Sequence, residues 1–244
     1  MSNEIAKTGG TSMLPADITA VQSKYADDKT FDSMSAGSFL PRVQLLQAGS
    51  RLVTKNKMSA GDLVLVKGKD TLVKNYADNM PCWVLKWRPK ALSFAMDGKG
   101  TAYFNPKTPG FQKVETEACK KPRPKGYLFG PEFLVYLPDV NEIATFHFST
   151  PTMRNRTAEM RAQIGIPTIV QSEFIESRGN QWYGPIILSA SSPIGLPEQG
   201  TAEWDELIER IKGPIEKFVN PPDEDLAEEV EGGAEAASGS ERPR

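Results

Sequence analysis

The feature that most limits the fold is a series of short apolar runs, each bounded by turn residues. These runs are rich in Val, Leu, Phe and Tyr, which suit a pleated, half-buried surface. Asp97-Gly98 and Pro138-Asp139 stand between runs as turn signals. The runs are 43–46, 63–66, 83–87, 91–95, 101–104, 133–137, 143–148, 168–176 and 182–190. Many short strands with frequent turns predict a mainly β chain with an all-β barrel or sandwich core.

Two helices are predicted to interrupt the strands. Thr150-Pro151 supplies an N-cap and a first-position proline for a helix near 151–164, which Gly165 closes. A second helix is predicted near 201–213, with Pro214 ending or kinking it. Its apolar residues recur at helical spacing and predict one buried stripe: Trp204, Leu207, Ile208 and Ile211.

The chain divides into three parts by composition. Residues 1–38 are rich in Ser, Ala, Gly and Asp, which predicts a flexible N-terminal arm. Residues 39–219 carry the strands and helices of one domain. Residues 220–244 have almost nothing to bury and predict a disordered acidic tail.

The formal net charge of −2 conceals a strong segregation of charge along the chain. Residues 41–126 carry 17 basic and 6 acidic side chains, whereas residues 221–244 carry 2 basic and 8 acidic ones. Such asymmetry within one chain raises the question of a polyanionic partner for the basic part. The alternative is that basic and acidic faces simply solvate the domain.

Several enzyme classes are disfavoured by the residues present. His147 is the single histidine, and Cys82 and Cys119 supply too few thiols for a zinc site, so no metal or other cofactor is expected. The segment 67–70, Lys-Gly-Lys-Asp, lacks the glycine spacing and hydroxyl of a phosphate loop. A nuclease would need a carboxylate cluster for Mg²⁺, and Asp139 has no matching Asp/Glu-x-Lys triplet after it. We therefore expect a protein that is not an enzyme.

The basic block interleaves cations with aromatic residues, the mixture that a single-strand-binding groove requires. Cations follow the phosphates, while aromatic rings stack on unpaired bases at about 1–3 kcal/mol per base. The candidate nucleic-acid-binding residues are Arg51, Lys55, Lys57, Lys67, Lys69, Lys86, Trp87, Arg88, Lys90, Tyr103, Phe104, Lys107, Phe111, Lys120, Lys121, Arg123, Lys125 and Tyr127.

The segment 83–87 allows a more specific prediction. Strand alternation puts Trp83, Leu85 and Trp87 on one face, which is most simply a core face. Lys86 then lies on the opposite face, toward solvent or a ligand. Pro89 is predicted to stop the strand ladder and leave Arg88 and Lys90 projecting from the strand end.

The layout resembles the single-stranded DNA-binding proteins of bacteria and their phages. The segments that carry this resemblance are 39–45 (FLPRVQL), 87–91 (WRPKA), 130–135 (GPEFLV) and 183–185 (YGP). The resemblance implies an OB-like antiparallel β-barrel, here elaborated with two helices, followed by a mobile acidic C-terminus. The chain departs from such proteins at its end, Glu-Arg-Pro-Arg, which lacks the apolar residue that docks in a partner's pocket.

These observations favour a single-stranded DNA-binding protein of replication or recombination. Its acidic tail would compete for the groove or contact replication or recombination proteins, and homo-oligomer formation is left open. One alternative is a phage virion or scaffold component, and another is an accessory factor of a nucleic-acid enzyme. The N-terminus lacks the features of a signal peptide and no apolar run spans a bilayer, so a cytoplasmic location without membrane contact is expected.

Overall fold

The computed structural model describes residues 40–56, 58–68, 71–94, 99–122, 124–177, 179–190, 195–219 and 228–231. The strands are β1 (Arg42–Leu45), β2 (Leu63–Lys67), β3 (Thr71–Asn75), β4 (Asn79–Phe94), β5 (Lys99–Tyr103), β6 (Tyr127–Leu137), β7 (Glu142–His147), β8 (Pro167–Ser177), β9 (Asn180–Ser189) and β10 (Glu228–Glu231). The helices are α1 (Arg51–Asn56), α2 (Pro109–Cys119), α3 (Pro151–Asn155), α4 (Thr157–Ala162) and α5 (Ala202–Val219).

The predicted mainly β class is confirmed, because the strands form one largely antiparallel sheet. The main path of the sheet runs β10-β5-β4-β6-β7-β1-β2-β3, with β8 and β9 branching from β4. Among the strands that the structure describes, only β1 and β7 pair in parallel. Main-chain pairing among the described residues does not close this sheet, so the predicted OB-like barrel is not confirmed.

The side chain of Gln47 bridges part of the opening that main-chain pairing leaves in the sheet. Gln47, just after β1, donates from Nε2 to the carbonyl oxygen of Tyr183 on β9 at 3.0 Å. The Tyr183 N–H donates back to Gln47 Oε1 at 2.9 Å. Gly61 makes this approach possible, because a Cβ there would lie 2.5 Å from the Tyr183 ring. The sheet is thus curled, with β9 held beside the β1–β2 connection.

The concave face of the curled sheet holds the largest apolar cluster. It combines side chains from six strands, including Val43, Leu65, Phe133 and Phe146. Met153 of α3 and Met160 of α4 complete the same cluster. Strands that are buried on both faces, such as β2 and β6, contain continuous apolar runs.

Helix α5 covers the opposite face of β4 and β6. The predicted stripe is confirmed, since Trp204, Leu207, Ile208 and Ile211 are all buried. The predicted end near residue 213 is wrong, because the helix continues through Pro214 to Val219. Two further buried residues, Ile215 and Phe218, extend the stripe, so packing against the sheet outweighs the lost N–H donor of the proline.

The predicted helix near 151–164 is two short helices with a break at Arg156. Its start is confirmed: Thr150 Oγ1 accepts from the Met153 N–H at 3.3 Å, and Pro151 occupies the first position. Gly165, at a φ of 79°, ends the segment as predicted. Its N–H donates to the Val84 carbonyl, which ties α4 to the edge of β4.

Helices α1 and α2 are not among the predicted elements. In α2, Thr108 caps the helix by accepting from the Phe111 N–H, and Pro109 follows it. Phe111, Val114 and Ala118 form its buried stripe. The same cap and proline signal that predicts α3 is therefore present in the sequence at 108–109.

The predicted arm, residues 1–38, lies outside the described residues. Of the predicted acidic tail, the structure describes only 228–231, and these four residues form strand β10 rather than disordered chain. Among the helices that the structure describes, none combines the length and apolar character needed to cross a bilayer.

Candidate nucleic-acid interface

The middle of β4 has an edge that carries no partner strand within the described residues. On the edge opposite β6, β8 pairs with Asn79–Trp83 and β5 pairs with Ala91–Phe94. Between them only Ile164 bridges, at Val84. Residues 85–90 therefore form a gap in the sheet, flanked by β5 on one side and the β8–β9 hairpin on the other. Four of the sequence-predicted residues lie in this gap: Lys86, Trp87, Arg88 and Lys90.

A β-bulge between Val84 and Lys86 changes which side chains share a face. Trp83 and Leu85 pack against α5, whereas Trp87 packs against the concave cluster on the other face. The prediction that both tryptophans share a face is therefore wrong, because the bulge shifts the alternation by one residue. The guanidinium of the exposed Arg161 lies 4.3 Å from the Trp87 ring centroid, a cation–π contact at the surface.

Lys86 is buried rather than directed toward solvent. It lies opposite Leu134 of β6, on the α5 side of the sheet, and only 8% of the residue is exposed. Burial lowers the pKa of its ammonium, since a low-dielectric surrounding disfavours the charged form. The predicted phosphate contact at Lys86 is thus not supported by its position.

Arg88 and Lys90 do not project from a strand end, because β4 continues through Pro89. Pro89 faces Pro131 of β6, a pair in which neither residue has an N–H to leave unsatisfied. Arg88 and Lys90 both bind Glu132, at 2.8 Å and 2.5 Å, and Glu132 is 1% exposed. The two cations therefore neutralise a buried carboxylate.

The Glu132 cluster perturbs the ionisation of two groups. Burial opposes ionisation of Glu132, but Lys90 and Arg88 outweigh it and hold the pKa at about 2. His147 lies opposite Glu132 on β7, and burial together with the Lys90 charge lowers its pKa to about 4. Its Nε2 atom is buried without a hydrogen-bond partner in the described part of the chain. The histidine is therefore a neutral packed residue at pH 7.

The aromatic candidates lie around the end of the sheet formed by β5 and α2. Phe104 is half-buried and stacks on Arg88, whose guanidinium carbon is 3.7 Å from the ring centroid. Tyr103 and Tyr127 are half-buried and pack against the cluster under α2. Phe111 is only 2% exposed within that cluster, so the predicted base stacking at Phe111 is wrong.

The same end of the sheet presents exposed lysines. Lys107, Lys113 and Lys121 are exposed and have no acidic partner among the described residues. Lys120 is exposed but binds Glu117 at 2.5 Å. Lys125 is also exposed. We call this surface, made of β5, α2 and residues 120–127, the basic end.

Two of the remaining candidates, Arg51 and Lys67, lie on the β1–β2 side of the molecule. Arg51 begins α1, and Lys67 ends β2 and binds Glu142 at 2.7 Å. The side chains of Lys55, Lys57, Lys69 and Arg123 lie outside the described residues. The predicted residues are therefore brought to three places, of which the gap and the basic end adjoin one edge of β4.

Sequence reasoning missed an aromatic pair on the β8–β9 hairpin. Only residues 167–171 of β8 pair with β4, so 172–177 of β8 and 180–185 of β9 continue as a two-stranded ribbon. Phe174 and Tyr183 face each other across it with ring centroids 5.4 Å apart, and Phe174 is 50% exposed. The predicted strands 168–176 and 182–190 contain both aromatics, but the sequence does not predict the register that pairs them or the exposure of Phe174.

The carboxylate considered for a nuclease site is occupied by structural contacts. Asp139 accepts a hydrogen bond from the Tyr76 hydroxyl at 2.9 Å and pairs with Lys74 at 3.3 Å. Burial and this hydrogen bond raise the pKa of Tyr76 above its ordinary value. Over the described ranges, no group of three or more His, Cys, Asp or Glu side chains is placed to hold a metal ion.

No protein-family model, curated protein or solved structure matches this chain.

Proposed function

We propose that this protein binds single-stranded DNA and serves replication or recombination without being an enzyme. The observation that carries the proposal is the edge of β4 at residues 85–90, which has no partner strand in the part of the chain that the structure describes. The exposed ring of Phe174, which contacts the half-buried Tyr183, lies on the hairpin beyond one end of this edge, and the exposed lysines of the basic end lie beyond the other. A binding surface for unpaired strands needs this combination of rings and cations along one path.

The surface offers two different kinds of contact. The ring of Phe174 is available to stack on a base, and stacking tolerates any base because each has a π-face. Lys107, Lys113 and Lys121 are available to phosphates, with the salt dependence that counterion release imposes. Binding would then show little sequence preference, as the coating of exposed single strands requires.

The half-exposed ring of Phe174 gives the sharpest test. Phe174→Ala should weaken binding of oligo-dT by about 5–160-fold, since one stacked base contributes about 1–3 kcal/mol. Leu188→Ala is the matched control, because Leu188 is 41% exposed on β9 and lies on the strand face opposite to Tyr183. Affinity is measured by fluorescence anisotropy of a labelled oligo-dT at fixed salt. Equal affinities for the two variants would contradict the role of the ribbon.

A second candidate function is structural assembly within a phage virion or scaffold. Strand β3 favours it, since all five of its residues are exposed and it forms an edge of the sheet. Unprotected edges pair with strands of other chains. This role predicts defined high-order assembly without nucleic acid, which static light scattering measures, and no binding of oligo-dT.

A further inference from the structure

The acidic C-terminal segment adds a strand to the sheet at the basic end. β10 (Glu228–Glu231) pairs antiparallel with β5, with Glu229 opposite Thr101 and Val230 opposite Gly100. The other edge of β5 pairs with β4, so β10 forms the outermost strand. The segment that composition predicts to be disordered thus has a defined main-chain partner.

The charges of the two segments are complementary. Residues 99–125, which form most of the basic end, carry seven basic and two acidic side chains. Residues 223–231 carry six acidic side chains and no basic one. Salt screens the attraction between these two sets of charges. Main-chain hydrogen bonds, in contrast, fix the register and the direction of the strand.

The end of α5 is held close to the end of β5. The Arg88 guanidinium lies between the rings of Phe104 and Phe218, at 3.7 Å and 4.2 Å from their centroids. Arg88 also donates from Nη1 to the Phe218 carbonyl at 3.1 Å. Phe104 directly follows β5, and Phe218 lies in the last turn of α5. The chain therefore leaves α5 beside the strand on which β10 docks, so this docking within one chain closes only a short loop.

We propose that residues 228–231 act as an autoinhibitory strand, which docks on β5 by main-chain pairing and covers the basic end until single-stranded DNA displaces it. This inference rests on the proposed function for the identity of the displacing ligand. It differs from competition by charge alone, because the edge of β5 recognises the backbone of an extended segment. A tail that cannot form a strand would then fail to inhibit even if all of its charges remained.

Two proline substitutions separate strand docking from charge. Neighbouring residues of a strand point their N–H groups to opposite sides, so Glu229→Pro/Val230→Pro removes one donor toward β5 wherever the register places it. Glu235→Pro/Ala236→Pro is the matched control, because it also introduces two adjacent prolines and removes one glutamate, starting four residues beyond β10. Both variants lose one carboxylate and keep the rest of the tail.

The first readout is amide hydrogen exchange of residues 99–103 in the full chain without DNA. We expect faster exchange there in Glu229→Pro/Val230→Pro and unchanged exchange in the control. Unchanged exchange in both variants would overturn the docking of the strand, whatever the DNA result.

The second readout is the affinity for labelled oligo-dT. If the strand covers the surface for about 90% of the time, its release tightens the apparent affinity about tenfold. The control variant should bind as the unmodified chain does. Faster exchange with unchanged affinity would overturn autoinhibition while leaving the docking in place. Failure of every variant to bind oligo-dT would instead refute the proposed function.

Discussion

Glu132 gives a prediction whose size follows directly from the structure. Its carboxylate is buried and binds two cations, Arg88 at 2.8 Å and Lys90 at 2.5 Å, whose side chains are themselves largely covered. Glu132→Gln keeps the shape of the side chain but leaves both cations without a counter-ion. Removing one partner of a buried ion pair costs about 3–5 kcal/mol of unfolding free energy, because the remaining charge is uncompensated.

The lowered pKa of Glu132 gives an order of magnitude for the same interaction. The fall from the ordinary value of 4.5 to about 2 corresponds to about 3 kcal/mol, at 1.36 kcal/mol per pKa unit. Because the folded pKa is depressed, this stabilisation is fully present above pH 4.5 and is lost as the pH falls toward 2. The two magnitudes agree, so the variant should lose about 3 kcal/mol at pH 7.

Urea unfolding followed by tryptophan fluorescence measures this difference. Glu142→Gln is the control, because its ion pair with Lys67 is exposed and should contribute less than about 1 kcal/mol. The difference in unfolding free energy between the Glu132→Gln variant and the unmodified protein should become smaller as the pH falls from 4.5 toward 2. A Glu132→Gln protein as stable at pH 7 as the Glu142→Gln protein would refute the reasoning.

Two further predictions concern His147 and the exposed lysines. Because the folded pKa of His147 is lowered from 6.5 to about 4, its unfolded form binds a proton that the folded form does not. The unfolding free energy should therefore fall as the pH drops from 6.5 toward 4, and His147→Asn should flatten that part of a urea-unfolding pH series; an equally steep fall would contradict it. Replacing Lys107, Lys113 and Lys121 together by Gln should lower the salt slope of oligo-dT binding by about two, at about 0.7 per phosphate contact. The control, Lys74→Gln on β3 at the opposite edge of the sheet, should leave that slope unchanged.

Most of the strands were predictable because they leave a local apolar run, whereas β3 and β10 leave none. Apolar runs such as 63–66 and 133–137 coincide with β2 and β6, since residues buried in the sheet are continuously apolar. The cap at Thr150-Pro151 and the stripe from Trp204 to Ile211 were predictable for the same reason. Helix α2 carries an equivalent cap at Thr108-Pro109. It was therefore predictable too, although the sequence analysis does not predict it.

The site was predictable only in part, because its decisive features are contacts between distant residues. No local pattern shows that Glu132 neutralises Arg88 and Lys90, 44 and 42 residues away. The bulge after Val84 likewise reverses the faces of Lys86 and Trp87, and strand alternation cannot anticipate an inserted residue. The exposure of Phe174 depends on where β8 leaves β4, which is a property of the whole sheet.

The central claim is that this chain binds single-stranded DNA, and one titration tests it most directly. Oligo-dT is added to the full chain at two salt concentrations while tryptophan fluorescence is followed, with duplex DNA of the same length as comparator. We expect quenching by oligo-dT, affinity that falls steeply with salt, and weaker binding of the duplex, whose bases are not free to stack. Absence of quenching and of any mobility shift at the lower salt concentration would contradict the claim.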